Sequence, residues 1–170
     1  MEDKVGEKSL KPLFRLERYF VTSTKCTATP GYRKGQKRDG RVEVKANIMN
    51  HQEDPSRWRI DLEIGLSEQM DKSSVPYDLS LHLVGFFLCP GTKEAPEEEV
   101  KKVVPLIYVQ GASLLYALAT EYLRNITAAG PYGPYLLPSY TFVPSSLKSR
   151  RDNPKMFFVG KGPYDKGLVN

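Results

Sequence analysis

Two segments of this chain place an apolar residue at every second position, and no other feature narrows the fold as much. In Arg41-Val42-Glu43-Val44-Lys45-Ala46-Asn47-Ile48 the apolar side chains alternate with charged or polar ones. Trp58, Ile60, Leu62, Ile64 and Leu66 alternate in the same way with Arg59, Asp61, Glu63 and Gly65. Successive side chains of a strand point to opposite faces, so this pattern predicts half-buried antiparallel strands with one wet face. Tyr77 to Val84 also alternates, then runs into Gly85-Phe86-Phe87-Leu88-Cys89. A first strand, from Phe14 to Ala28, is rich in aromatic and β-branched residues but alternates less cleanly. Turn chemistry separates these runs: Thr29-Pro30-Gly31 opens a long basic loop to Gly40, Asp54-Pro55 lies between Asn50 and Ser56, and a third turn runs from Gln69 to Pro76. The expectation is a four-stranded antiparallel meander.

The second half changes period. Pro96 followed by Glu97, Glu98 and Glu99 reads as a helix start, with acids placed where the helix dipole favours them. Pro105 is expected to stop or kink that helix, and a stronger one is expected from about Ala112 to Ala129. Its Leu115, Leu118, Ala119, Tyr122 and Ile126 form one apolar stripe, and Gly130 supplies the stop. Pro131 to Pro138 holds too many prolines for a helix or central strand and reads as an extended segment. The expected organisation is a lead over 1–12, one α+β domain over 13–144, and a flexible basic tail over 145–170 with an apolar knot at Met156-Phe157-Phe158.

Composition excludes several classes. At 170 residues, 40% apolar and 26% charged, the chain is long enough for a hydrophobic core and is neither disordered nor disulfide-stapled. No stretch is expected to reach a membrane-spanning length, so no membrane insertion is expected. The first eight residues lack an apolar signal core, and Cys26 and Cys89 read as structural thiols; both point to a cytoplasmic protein. The formal charge of +5 is concentrated in two places. Residues 31–45 hold six basic side chains against Asp39 and Glu43, a net +4. Residues 145–170 hold six against Asp152 and Asp165, again +4, leaving −3 for the rest. A basic loop and tail on an acidic body do not make a continuous nucleic-acid surface, although a non-catalytic module touching nucleic acid through them is the alternative reading.

Chemistry-bearing motifs are sparse. His51 and His82 fall on different elements, and His82 alternates with Leu81 and Leu83, as a solvated strand-face residue would. Two scattered cysteines and two scattered histidines lack metal-ligand spacing, so no metal is expected. Glu97-Glu98-Glu99 is explained by the helix start, and Gly31-Tyr32-Arg33-Lys34-Gly35 lacks the strand-to-helix context of a phosphate loop. Neither an enzyme nor a cofactor is expected. In Arg57-Trp58-Arg59, strict alternation sets Trp58 on the apolar face and the arginines toward water.

Strands, a long helix and a Pro-rich aromatic segment, in this order, resemble the SecB export-chaperone family from Phe14 to about Phe142. Phe14-Arg15-Leu16-Glu17-Arg18-Tyr19-Phe20 is similar to its opening strand, Trp58 to Leu62 to its third, and Gly85-Phe86-Phe87 to the end of its fourth. Leu114, Leu115, Tyr116, Ala119 and Glu121 match its helix motif Ile-Leu-Phe-Pro-Tyr-Ala-Arg-Glu, and Gly130, Leu137 and Phe142 follow in step. The chain departs from the family at Gly111-Ala112, Ala117, Thr120 and Ser139-Tyr140-Thr141, and in an acid-rich insertion over 90–104. Ser23 and Thr27 stand where the family carries the acids that engage the SecA motor.

The resemblance implies an α+β SecB-like fold: a four-stranded antiparallel sheet, a long C-terminal helix and a Pro-rich extended segment. It also implies a cytoplasmic, ATP-independent holdase assembled as a homotetramer, a dimer of dimers, without cofactor or metal. Its clients would be unfolded or preprotein polypeptides, for export or as a dedicated service to one client such as a toxin–antitoxin pair; SecA is the possible further partner. A holdase needs apolar surface that survives folding. The candidate client groove is Val42, Val44, Ile48, Phe86, Phe87, Tyr132, Tyr135, Tyr140 and Phe142. The candidate oligomer interface is Leu115, Tyr116, Ala119 and Tyr122.

Overall fold

The computed structural model describes residues 14–33, 42–66, 72–144 and 157–158. Its elements are β1 (Arg15–Ala28), β2 (Val42–His51), β3 (Arg57–Leu66), β4 (Tyr77–Leu88), α1 (Glu97–Thr127) and β5 (Phe157–Phe158). Four antiparallel strands and one long helix make this the expected α+β architecture. The strand order is β1-β4-β3-β2-β5, which corrects the meander. Only β2, β3 and β4 follow one another in space, because their connections are short. β1 pairs with β4 from Arg15 opposite Leu88 to Ala28 opposite Tyr77, and the long loop after it carries the chain to the far edge. This placement explains the apolar end of β4: flanked on both sides, it buries Val84 on one face and Phe87 on the other. β1 alternates poorly because its register shifts between Leu16 and Arg18 and again between Val21 and Ser23, each a bulge that adds one residue.

The sheet has an inner face against α1 and an outer one. Inner residues include Trp58, Ile60, Leu62 and Ile64 of β3 and Leu79, Leu81, Leu83 and Phe87 of β4, all buried. The outer face combines ion pairs with an apolar patch: Lys25 meets Asp78 at 2.8 Å and Arg59 grips Asp61 through Nε–Oδ1 at 2.7 Å and Nη2–Oδ2 at 2.9 Å, while Phe20, Val84 and Phe86 lie together on the same face. Trp58 is buried as expected, with its indole N–H donated to Thr92 at 3.2 Å. His82 lies on the outer face, but its Nε2 is enclosed and has no hydrogen-bond partner among the described residues, so the expected solvation is corrected. The β2–β3 turn is held by Asp54, whose carboxylate accepts from Ser56 and pairs with Arg57. The Ser56 hydroxyl holds that carboxyl below its usual range. His51 Nδ1 accepts the backbone N–H groups of Glu53 and Asp54, each at 3.1 Å. Cys26 and Cys89 are unbridged, and burial pushes both thiols up.

α1 is a single helix with Pro105 inside it, so the helix does not stop there and no second helix starts near Ala112. Pro105 deprives one carbonyl, that of Lys101, of its intrahelical donor, and Lys101 is exposed where water can satisfy it. Ile107 and Tyr108, two and three residues after it, are buried and hold the helix in the core. The acid-rich insertion therefore lengthens α1 at its N-terminus. The buried row is Ile107, Gly111, Leu115, Ala119, Leu123 and Thr127, four residues apart throughout. The expected stripe is corrected by about one residue: Leu118 and Tyr122 are half-buried and Ile126 is exposed. Close packing of α1 on β3 and β4 requires two glycines. A Cβ on Gly111 would lie 2.3 Å from Ile60 Cδ1, and one on Gly85 would lie 2.7 Å from Leu115 Cδ2. α1 also contains an 18-residue window of mean hydropathy 1.6, long and apolar enough to cross a membrane, with 39% of that window buried inside the subunit. The expectation that no stretch reaches that length is corrected here.

Gly130 does not adopt the left-handed cap; it makes room for Tyr77, whose hydroxyl a Cβ there would approach to 2.5 Å. The chain then turns back along α1 as an extended strap, 131–143. The basic loop after Arg33 and the tail fall outside the described residues, apart from Phe157 and Phe158.

Candidate functional site

The strap is fastened at three places. At its start, Tyr77 donates its hydroxyl to the Gly133 carbonyl at 2.8 Å, and Tyr132 donates to the Thr29 carbonyl at 2.6 Å. Rings of Tyr32, Tyr77, Tyr132 and Tyr135 meet edge to face around these bonds. Thr127 Oγ1 next accepts the Tyr135 backbone N–H at 2.7 Å while donating to the Leu123 carbonyl. Farther along, Tyr116 donates to the Pro138 carbonyl at 2.6 Å. Burial, reinforced by Tyr135 and Tyr140, pushes the Tyr116 phenol up to about 12, so it remains a donor at neutral pH.

From Leu136 onward the strap presents two sides. Leu137 and Phe142 point inward and are buried, with Phe142 packed against Tyr108 and Tyr116. Leu136, Tyr140 and Val143 remain 62%, 45% and 45% exposed. Tyr140 is anchored without being covered, its ring 4.8 Å from Phe142 and 5.7 Å from Tyr116. Apolar surface thus stays in water on a strap whose backbone is fastened at Gly133, Tyr135 and Pro138.

The nine groove candidates do not converge into one site. Tyr140 and Phe142 share the strap cluster, with Phe142 as its buried base. Tyr132 and Tyr135 are fasteners at the other end of the strap. Val42 and Val44 are half-buried and Ile48 is buried on the inner face of β2, at the margin of the core. Phe86 and Phe87 are separated by the pleat. Phe87 is fully buried and stacked on Phe14 at 4.9 Å, whereas Phe86 lies on the outer face beneath the Arg18 guanidinium at 4.8 Å. Adjacent strand residues cannot share a face, so Phe86 and Phe87 do not line one surface together, and Phe87 is enclosed in the core.

The interface candidates are also redistributed. Leu115 and Ala119 are fully buried within the subunit, and Tyr116 is buried beside the strap. Tyr122 stays at the surface, where the Thr24 hydroxyl donates to it at 3.2 Å. It belongs to the neighbouring helical row, Leu106, Gln110, Leu114, Leu118, Tyr122 and Ile126, also four apart. Leu106, Leu114 and Ile126 in that row are exposed, as is Tyr19 of β1. Sequence reasoning missed Leu136 and Val143, and of this row it took only Tyr122 as an interface residue. The i, i+4 spacing through Leu106, Leu114 and Ile126 is the signal that could have found the row. Among the described residues no cluster of three or more His, Cys, Asp or Glu could hold a metal ion.

No protein-family profile matches the chain, and no curated protein matches it. Solved structures do. The SecB-like chaperone of Mycobacterium tuberculosis, in complex with a ChAD peptide from the HigA1 antitoxin, superposes with a TM-score of 0.55 at 13% identity. The match covers 76% of this chain and 91% of that one. A protein of unknown function from Streptococcus agalactiae matches at 15% identity and a TM-score of 0.41, over 75% of this chain and 97% of its own. The fold of this chain is therefore SecB-like.

Proposed function

We propose that this protein is an ATP-independent holdase of the SecB-like kind, which binds unfolded polypeptides in the cytoplasm without catalysis or cofactor. The observation that carries this reading is the strap: Leu136, Tyr140 and Val143 stay exposed on a segment whose backbone and inward side chains are firmly held. Such a surface is already ordered when a client arrives, so little entropy is lost in forming it. The SecB-like fold supports the reading, and the mycobacterial neighbour was solved with an antitoxin peptide bound. Ser23 and Thr27 are exposed and uncharged, which favours a dedicated client, such as the antitoxin of a toxin–antitoxin pair, over export coupled to SecA.

The working form in this proposal is a homotetramer, with the row Leu106, Leu114, Leu118, Tyr122 and Ile126 as the subunit contact. The test is aggregation suppression. Stoichiometric protein should keep chemically unfolded citrate synthase in solution without nucleotide, as read by light scattering. Unchanged scattering at several-fold excess rejects the holdase reading.

A further inference from the structure

The sheet has a fifth strand that the rest of the fold does not require. Asn50 and His51 at the end of β2 pair in parallel with Phe157 and Phe158. These two residues belong to Met156-Phe157-Phe158-Val159, an apolar run in a stretch otherwise dominated by Ser, Lys, Arg and Gly. β5 covers only this end of β2, and toward Val42 no described strand continues it. An edge strand is a template for a further extended chain: its backbone groups supply the hydrogen bonds and its alternate side chains supply selectivity. Val42 and Val44, half-buried on the inner face, stand at that edge.

We propose that the β2 edge is a docking site for extended polypeptide, which the chain's own Phe157–Phe158 segment occupies in competition with clients. The identity of the competitor rests on the holdase reading; the intramolecular pairing does not. A two-residue pairing has little affinity of its own and is maintained by the high local concentration of a tethered segment. It covers an aggregation-prone edge in the idle protein and yields to a longer strand that forms more bonds. Client affinity is then scaled by the fraction of molecules whose edge is open. Occupancy between half and nine-tenths weakens binding by about twofold to tenfold relative to a chain with no competing segment.

The test uses the full chain with Phe157→Pro and Phe158→Pro, which remove the backbone N–H groups of β5 and leave the other strands and α1 untouched. Hydrogen exchange reads the pairing. Because successive amides face opposite edges of β2, the one of Asn50 and His51 that faces β5 should lose protection in the proline form, with the other, on the β3 side, as control; protection in the unaltered chain should not change on dilution. Equal exchange in both forms overturns the proposal, as does protection lost on dilution, which would assign the edge to a second copy. Fluorescence anisotropy with labelled carboxymethylated α-lactalbumin, a permanently unfolded chain, reads the competition. The proline form should bind about twofold to tenfold tighter. Equal or weaker binding overturns the competition alone. Binding by neither form overturns the holdase reading and the competition together, while exchange still decides whether the segment sits on β2.

Discussion

Replacing Leu136 and Tyr140 by serine separates client binding from stability. Leu136 is 62% exposed, so a client that covers it recovers about 1–2 kcal/mol of the 1.5–3 kcal/mol for a fully buried leucine. Tyr140 is 45% exposed; with about 150–250 Å² on an aromatic side chain, some 70–110 Å² is available, worth about 2–3 kcal/mol. Leu136→Ser should therefore weaken binding of carboxymethylated α-lactalbumin about 5- to 30-fold, and Tyr140→Ser by at least about tenfold. Leu136 contributes little to the fold, and its substitution should change urea-unfolding stability by no more than about 0.5 kcal/mol. Tyr140 also touches Tyr116 and Phe142, so Tyr140→Ser should cost about 0.5–1.5 kcal/mol of stability. Anisotropy titration gives Kd and urea titration gives stability. If Leu136→Ser and the double variant both bind within twofold of the unaltered protein while remaining folded, the strap is not the client surface.

Three further perturbations probe the scaffold. Leu114→Asp with Ile126→Asp, both at exposed positions, should reduce the mass measured by multi-angle light scattering without unfolding the subunit; equal masses refute this row as the contact. Tyr116→Phe removes the 2.6 Å bond to Pro138 and should cost about 0.5–1.5 kcal/mol in urea unfolding. Because the folded Tyr116 phenol is raised from 10.0 to about 12, the unfolded chain loses its proton first, and stability should fall as pH rises through that window. The variant should show a shallower fall, and an identical pH profile would refute Tyr116 as its source. Gly111→Ala gains about 1 kcal/mol of helix propensity but sets a Cβ 2.3 Å from Ile60 Cδ1, an overpacking cost of about 1–3 kcal/mol. The urea midpoint should be unchanged or lower, and a clear rise would refute the close packing.

What could be read from the sequence follows from how local each signal is. Alternation along Val42 to Ile48 and Trp58 to Leu66 reports which side of one strand is buried, and the structure agrees with that reading. It contains no information on which strand lies beside which, so β1 was taken as a neighbour of β2 when it pairs with β4. Propensity is also local: it predicts a stop or a kink at Pro105, and the helix does not stop there because the burial of Ile107 and Tyr108 outweighs it. The candidate site suffered most. A cluster of aromatics in the sequence does not reveal that Tyr132 is a fastener and Tyr140 a surface residue, because the difference is one hydrogen bond to Thr29, a residue far away along the chain. Likewise Leu115 and Leu114 are chemically alike, and only their angle about the helix makes one core and the other surface.

That angular difference bears on what α1 touches outside its own subunit. Its apolar window contains more than one face needs, and 39% of that window is buried inside the subunit. The row from Ile107 to Thr127 belongs to the sheet, and the flank bearing Tyr108 and Tyr116 belongs to the strap. Insertion into a bilayer would strip both away, exposing Ile60, Leu62, Leu83 and Phe87 to water, and would carry Tyr116 away from Pro138. Each buried side chain lost this way costs about 1.5–3 kcal/mol, a cost that opposes insertion. The row from Leu106 to Ile126 is apolar surface on the side of α1 away from both sheet and strap, and a protein surface can cover it without disturbing either neighbour. In the proposed assembly a second subunit covers this row, and assembly and client binding should then fail separately when Ile126 and Leu136 are substituted one at a time.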